Sequence, residues 1–382
     1  MNGESLIHKI DLSSRRHTVT HMSDIMRRLA TAALCFTLAA CGSAAIEPAQ
    51  QCLTLTEPEG NKGILTSAPA KVSLFFGVDT CGGEPVAGLD GASFKLTEDG
   101  KPLSELESQR MIRARGQKYR MNSLVLLDMS GSVLRSGQFP TLKEAAQRYV
   151  QSVLAQKNEG QRVSVVTFDG REKPTTLIGF SDDVAAVQQS IASLETKECD
   201  TNAQCAGFTD RRTCAGWRCV DDSTNLNGAV LNAIETLETQ TALEASIPWK
   251  DSSLIIFTDG SDQAARISSA QMLDKTRLTR SHIFSIGLGG EVDQPTLTVL
   301  GKDGFWPAAK ASELGEAFEA IARRVTGLAN RFYLLEYCSP KRSGIHTLKV
   351  TATFKKPDGT ELIGGLSRDF DASGFGSGCS VE

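Results

Sequence analysis

Residues 123–132 read SLVLLDMSGS, and this stretch decides the fold class. Its first half is a continuous apolar run that ends in an acid, Asp128, as is typical of a strand buried on both faces of a sheet. Three similar runs follow along the chain: RVSVVTF at 162–168, SLIIFT at 253–258 and HIFSIGL at 282–288.

Helical spacing alternates with these strands. Apolar residues recur every three or four positions in four segments, at 140–156, 182–194, 225–237 and 312–328. Alternating strands and helices predict an α/β fold, a doubly wound and mostly parallel sheet with helices on both faces. We assign this domain to residues 119–329.

The segments on either side have a different pattern. Strand-like stretches separated by turn residues occur at 71–78 and 93–97, and again at 331–338, 345–354 and 360–365. These stretches are typical of antiparallel hairpins. We therefore expect residues 67–118 and 330–382 to form one β-sandwich that flanks the α/β domain.

Composition limits the class of protein. The 382 residues include 41 Lys and Arg against 45 Asp and Glu, a net charge of -4, and 40% are hydrophobic. This hydrophobic content suffices for a folded core, which argues against a disordered chain. A nucleic-acid-binding protein needs a basic face, so the net charge argues against such a partner.

The N-terminal region has the pattern of an export signal. Two arginines, Arg27 and Arg28, precede an apolar segment at 29–40, which is too short to span a bilayer as a mature helix. The sequence Leu-Ala-Ala-Cys at 38–41 resembles the bacterial lipobox, which implies a lipid on Cys41. The alternative is a plain secretory signal cut near Ala40 or Ala45.

This pattern predicts a signal peptide at 1–40 and a polar tether at 41–66. The residues before Met26 are polar and of mixed charge, so we expect translation to start at Met22 or Met26. Gly42 follows the lipobox cysteine, and the resemblance to Gram-negative lipoproteins implies an outer-membrane or cell-surface location. No later apolar run is long enough for a second membrane segment.

The cysteines agree with export. Apart from Cys35 in the signal and Cys41, an even number remains, which in an oxidising compartment predicts four disulfides: Cys52, Cys81, Cys199, Cys205, Cys214, Cys219, Cys338 and Cys379. Four of them crowd into an insertion at 196–222, where we expect local pairs. A zinc site is the weaker alternative, because the cluster has no Cys-x-x-Cys pair and no nearby histidine.

Three loops carry oxygen ligands, and each follows a predicted strand or opens a predicted helix. They contain two carboxylates and three hydroxyls and no nitrogen or sulfur ligand: Asp128, Ser130, Ser132, Thr224 and Asp259. Ligands of an open α/β sheet collect at the carboxyl ends of its strands. Oxygen-only ligation favours a hard cation, Mg²⁺ or else Mn²⁺ or Ca²⁺.

These loops resemble the metal-ion-dependent adhesion site (MIDAS) of von Willebrand factor type A (VWA) domains, over about residues 120 to 329. The family pattern is Asp-x-Ser-x-Ser, a distant Thr and then an Asp. The resemblance implies that Ser130 and Ser132 coordinate the metal directly, and that Thr224 does so when a partner is bound. It implies that Asp128 and Asp259 act directly or through water.

The same resemblance implies the function. In the family, an acidic side chain of a partner protein completes the coordination, so we expect metal-dependent protein binding or adhesion at the cell envelope. One alternative is a structural envelope lipoprotein in which the metal only stabilises the fold. A metal-dependent hydrolase is a weaker alternative, because no catalytic histidine motif, nucleophile elbow or P-loop is present. We therefore predict that the protein is not an enzyme.

Taken singly, the three motifs have simpler explanations. Asp-x-Ser-x-Ser can form a turn or a helix cap, Thr224 can be an N-cap, and an Asp-Gly pair after a strand can be a turn. The insertion also allows two interpretations. The insertion either shapes or occludes the partner-binding surface near the metal, or it is a surface insertion with no role in partner binding.

Overall fold

The computed structural model describes residues 52–57, 63–104, 108–114, 119–154, 160–247, 249–289 and 292–381. The predicted signal peptide, the lipidation residue Cys41 and parts of the predicted tether lie outside these residues. No helix of the described residues is long and apolar enough to cross a membrane.

The strands and helices are numbered here in chain order. The strands are β1 (Leu53–Thr56), β2 (Ile64–Ser67), β3 (Lys71–Thr80), β4 (Phe94–Glu98), β5 (Lys101–Pro102), β6 (Met111–Ala114), β7 (Tyr119–Asp128), β8 (Gln161–Phe168), β9 (Thr175–Ser181), β10 (Thr213–Ala215), β11 (Arg218–Val220), β12 (Trp249–Thr258), β13 (His282–Leu288), β14 (Gly304–Ala308), β15 (Phe332–Cys338), β16 (Ile345–Lys355) and β17 (Glu361–Asp371). The α-helices are α1 (Gly131–Arg135), α2 (Phe139–Leu154), α3 (Val184–Ala192), α4 (Leu226–Leu243), α5 (Ser269–Leu278), α6 (Gln294–Leu300) and α7 (Leu314–Asn330).

A six-stranded sheet in the order β14-β13-β12-β7-β8-β9 forms the α/β domain. All its strand pairs are parallel except β8 with β9 at one edge. Successive side chains of β7 enter different cores. Val125 and Leu127 pack with α2, α3 and α7, whereas Leu124 and Leu126 pack with α4, α5 and α6. This two-sided burial explains the unbroken apolar run and confirms the predicted fold class.

The two flanking segments form a β-sandwich, as predicted. One sheet has the order β1-β3-β15-β6 with β2 also paired to β3, and the other has the order β17-β16-β4-β5. Every pair in both sheets is antiparallel. A shared apolar core lies between the sheets, with side chains from segments before and after the α/β domain, among them Phe76 and Tyr337.

The sandwich packs directly against the α/β domain through aromatic side chains. The ring of Phe75 in β3 stacks on that of Trp249 at the start of β12, with centroids 4.3 Å apart. The ring of Phe332, the first residue of β15, also stacks on that of Phe75, with centroids 5.6 Å apart. Because these aromatic side chains of the sandwich and of the α/β domain belong to one core, the sandwich supports the end of the sheet where the parallel strands begin.

The tether prediction is wrong where the structure describes it. Leu53–Thr56 and Ile64–Ser67 are strands that pair antiparallel with β3, so the sandwich begins earlier than residue 67. Leu53 and Leu55 are buried while the threonines between and after them are exposed. Only four residues carry this alternation, in a stretch rich in polar residues, which is too short to stand out in the sequence.

The prediction of four disulfides is confirmed. Two lie in the sandwich, Cys52–Cys81 and Cys338–Cys379, and two lie within the insertion, Cys199–Cys214 and Cys205–Cys219. The sulfurs of Cys199, Cys205 and Cys219 lie within 4.8 Å of one another, as ligands of one metal ion would. Their pairing in disulfides instead removes the thiolates that zinc requires.

Candidate metal centre

Asp128 is the last residue of β7 and is fully buried. Its Oδ1 accepts a hydrogen bond from the backbone N–H of Ser130 at 2.8 Å, and its Oδ2 accepts one from the hydroxyl of Thr258 at 2.7 Å. Thr258 ends β12, the neighbouring parallel strand, so the carboxylate joins the first and third predicted loops. Both of its oxygens are oriented by the protein.

A chain of hydroxyls leads from the first loop to the third. The Oγ atoms of Ser130 and Ser132 are 3.1 Å apart, and the Ser132 hydroxyl donates to Asp259 Oδ1 at 3.0 Å. Ser130 is the N-cap of α1, yet its side chain makes no capping hydrogen bond. The helix-cap explanation therefore fails for this hydroxyl, which faces the other oxygen ligands instead.

Thr224 lies in the second loop, two residues before the start of α4. It is buried, and its backbone carbonyl accepts hydrogen bonds from Gln263 and Ala264, in the segment that follows Asp259. The N-cap of α4 is the next residue, Asn225, whose side chain accepts from Gly228 N–H. The N-cap explanation for Thr224 is therefore wrong, and its hydroxyl is not required to cap the helix.

The electrostatics of the edge favour a cation. Burial raises the pKa of Asp128 to about 7, and the nearby charge of Asp259 also raises it, against the hydrogen bonds from Thr258 and Ser130 that lower it. Two acids are thus held close together, one of them without contact with water. A divalent cation at this position would offset both effects and keep Asp128 ionised.

The donor set fits a hard divalent cation. Asp128, Ser130, Ser132 and Asp259 are brought together by hydrogen bonds, and Thr224 is tied by its backbone to the segment after Asp259. The set contains carboxylate and hydroxyl oxygens only, which suits Mg²⁺ or Mn²⁺ and leaves room in a six-coordinate shell for a ligand from outside.

Some residues of the site were missed in the sequence. Thr258 was part of the third loop, but its bond to Asp128 depends on the pairing of β7 with β12. The ion pair Arg135–Asp222, with 2.7 Å between guanidinium and carboxylate, closes over the metal loop. No pattern in the sequence predicts this pair. A Cβ atom at Gly131 would clash with Asp222 Oδ1, so glycine permits this approach.

The two histidines of the described residues lie away from this edge. His282 begins β13, at the opposite end of the sheet, and bonds through Nδ1 to Asp303 at 2.9 Å, with Asp251 at 3.5 Å from Nε2. His346 lies in the sandwich and contacts Asp99 at 2.8 Å. Neither is placed to activate a water molecule at the candidate centre.

Comparisons with solved structures show likeness at low sequence identity. Proximal thread matrix protein 1 from the mussel byssus is 16% identical over 58% of this chain and 50% of its own, with a TM-score of 0.40. This chain thus spans about half of the mussel protein, which has also been solved with a zinc-occupied MIDAS motif.

Two bacterial structures are also similar. A von Willebrand factor type A protein from Catenulispora acidiphila is 10% identical over 84% of this chain and 73% of its own, with a TM-score of 0.43. The vWF domain of the type V pili tip protein Mfa5 from Porphyromonas gingivalis is 14% identical over 53% of this chain and 94% of its own, with a TM-score of 0.38.

No curated protein matches the chain in sequence. Residues 123–261, which contain all five predicted metal ligands, match the family model described as von Willebrand factor type A domain. The match agrees with the doubly wound sheet described above. The chain therefore carries a von Willebrand factor type A domain at residues 123–261.

Proposed function

We propose that the protein binds another protein through a divalent cation, Mg²⁺ or else Mn²⁺ or Ca²⁺, held by Asp128, Ser130, Ser132, Thr224 and Asp259. The observation that carries this proposal is the hydrogen-bonded chain from Ser130 through Ser132 to Asp259 beside the buried Asp128. Four oxygen-bearing side chains thus lie together at one edge of the sheet, although they come from separate parts of the sequence.

The second step of the proposal concerns the partner. Five protein side chains, some of them acting through water, do not saturate the cation. An Asp or Glu side chain of the partner supplies an anionic ligand at the open position, and the bond is strong because both groups are charged. Ser132 is exposed while Asp128 and Ser130 are buried, so the open position faces solvent.

Binding is better supported than hydrolysis. A metal hydrolase needs an activated water and a general base. Both described histidines are engaged at other places. The acids near the metal loops also have partners: Asp259 accepts a hydrogen bond from Ser132, Asp222 pairs with Arg135, and Asp169 pairs with Arg171. These contacts favour a role in cation binding over that of a dedicated general base.

The partner experiment uses the full chain. The immobilised protein is exposed to an envelope extract with Mg²⁺ or with EDTA, beside an Asp259→Ala variant. We expect proteins retained by the wild type in Mg²⁺ and released by EDTA, with none retained by the variant. Partner retention that is reduced neither by EDTA nor by Asp259→Ala would overturn the proposal.

The structural alternative predicts a different result. If the metal only stabilises the fold, Mg²⁺ raises the melting temperature of the wild type while partner retention is the same with Mg²⁺ and with EDTA. Thermal melts and retention measured on the same preparation separate these two functions. If the cation also binds the partner, both the melting temperature and the partner retention depend on Mg²⁺.

Export and lipid anchoring through Cys41 complete the proposal, with the protein at the outer membrane or cell surface. The four disulfides support it, because such bonds form and persist in oxidising compartments. Labelling with a radioactive fatty acid tests it: wild-type protein becomes labelled and Cys41→Ser does not. An unlabelled, soluble wild-type protein would instead indicate the plain secretory signal.

A further inference from the structure

The cysteine-rich segment, residues 196–222, packs against the metal loop. Its strands β10 and β11 form a hairpin, and Ala215 and Val220 of this hairpin are buried in a small core with Met129 and Leu134. Met129 lies between Asp128 and Ser130, and Leu134 belongs to α1, which follows them. One side of the metal loop is thus covered by the insertion.

The turn of the hairpin makes a close approach to the same helix. A Cβ at Gly216, where φ is +50°, would lie 3.1 Å from Leu134 Cβ and 3.3 Å from the Leu134 carbonyl. At the other end of the segment, Asp222 pairs with Arg135 across Gly131. The insertion therefore packs on Leu134 of α1 and pairs with its last residue, Arg135.

The helix needs this support. It has only five residues, and its N-cap lacks a side-chain hydrogen bond. Helices of this length are unstable in isolation, so tertiary packing must hold α1 in place. Because Ser130 and Ser132 lie at its start, any movement of the helix moves two proposed metal ligands.

The disulfides fix the segment that provides this packing. Cys205–Cys219 and Cys199–Cys214 both cross-link it, and Cys199, Cys205 and Cys219 are buried together. Cys219 is in β11, and the chain runs from it through Asp222 to Thr224. The same cross-linked hairpin thus packs on the first metal loop and leads directly into the second.

We propose that the cysteine-rich segment is a positioning element of the metal centre. Its disulfides hold the loop of Ser130 and Ser132 and the loop of Thr224 at the separation that a cation requires. This inference rests on the proposed metal site. It assigns the insertion a role in affinity for the cation, independent of any contact with the partner.

The test compares two double variants, each lacking one disulfide. Cys205→Ser with Cys219→Ser removes a cross-link of the insertion, and Cys338→Ser with Cys379→Ser removes one in the sandwich as a matched control. Binding of Mn²⁺ alone is measured by calorimetry at a temperature at which both variants are folded. We expect about tenfold weaker binding for the first variant and a change of less than about twofold for the control.

Hydrogen exchange in EDTA gives a second readout that needs no metal. We expect faster exchange of the Leu134 amide, which donates to Ser130 O, in the insertion variant and not in the control. An insertion variant that retains the Mn²⁺ affinity of the wild type would overturn the inference, whatever its exchange rate. Should the first variant not fold, Cys199→Ser with Cys214→Ser takes its place.

The two readouts distinguish the possible failures. A wild-type protein that binds no Mn²⁺ refutes the proposed metal site, and exchange alone then decides whether the segment positions the loop. A wild type that binds Mn²⁺, with an affinity that the insertion variant retains, refutes only the positioning role.

Discussion

The Ser132 hydroxyl donates to Asp259 Oδ1 at 3.0 Å, across 127 positions of sequence. With this donation its proton points to the carboxylate, so a lone pair of the oxygen remains for a cation. The contact depends on two strands that end at the same edge of the sheet. It makes Asp259 both a candidate ligand and the group that orients Ser132.

Replacing Asp128 separates metal affinity from stability. In metal-free protein at neutral pH, Asp128→Asn removes a carboxyl whose pKa burial raises to about 7, so we expect no loss of thermal stability. The same variant should lose stabilisation by Mg²⁺, which reaches about 2.7 kcal/mol for the wild type at a concentration 100 times the Kd. Thermal melts with Mg²⁺ and with EDTA measure both. Equal stabilisation of wild type and variant by Mg²⁺ would contradict the assignment.

Thr258 should matter through its hydroxyl. Thr258→Val keeps the shape but removes the donor to Asp128 Oδ2, which costs about 1–3 kcal/mol when the carboxylate is charged and buried. We expect weaker Mn²⁺ binding, by about tenfold, because the ligand is no longer oriented. Calorimetry of Thr258→Ser provides the control, since serine restores the donor. A serine variant as weak as the valine variant would show that the hydroxyl is irrelevant.

Arg135→Ala tests whether Arg135 acts by holding α1 in place or only through its charge near the metal. Removal of a cation near a metal site should strengthen metal binding if only Coulomb forces act. If the pair with Asp222 holds α1, binding should weaken, by a few-fold at most because both partners are about half exposed. Mn²⁺ titration decides between these signs. Arg148→Ala, which breaks the exposed pair with Glu144 on α2, should leave the affinity unchanged.

His282 should make stability depend on pH. Burial lowers its pKa, but hydrogen bonds and charges of Asp251 and Asp303 outweigh burial and raise it to about 9. The unfolded value is about 6.5, so this contribution is complete below about pH 6.5 and is lost as pH rises through 9. The loss amounts to about 3 kcal/mol at most. Urea unfolding from pH 6 to 9.5 should show a smaller decline in His282→Gln, whereas His346→Gln retains the contribution of His282. Identical slopes in wild type and His282→Gln would refute this assignment.

The sheet and the edge that carries the site could be predicted from sequence because both depend on local patterns. The run ending at Asp128 shows burial on two faces, and an acid directly after such a run lies at the carboxyl end of its strand. The register of β7 against β12 brings Thr258 to Asp128, and no local pattern encodes that register.

The insertion shows where such prediction stops. Four cysteines in a short segment predict cross-links, but their pairing depends on the hairpin fold. Asp222 and Arg135 are 87 positions apart in the sequence, and their side chains meet only because Gly131 leaves the space. Charged surface residues occur throughout the sequence, so no pattern distinguishes this pair from others.

The α/β domain leaves the sandwich after β6 and returns through α7 into β15, and β6 and β15 are neighbouring antiparallel strands. A partner pulled away from the metal edge would therefore transmit its tension to both ends of the domain at adjacent strands. Those strands are hydrogen-bonded to each other, and β15 also pairs with β3 along its whole length. A pulling force on the bound partner would thus be distributed over the hydrogen bonds of one sheet instead of acting on a single linker.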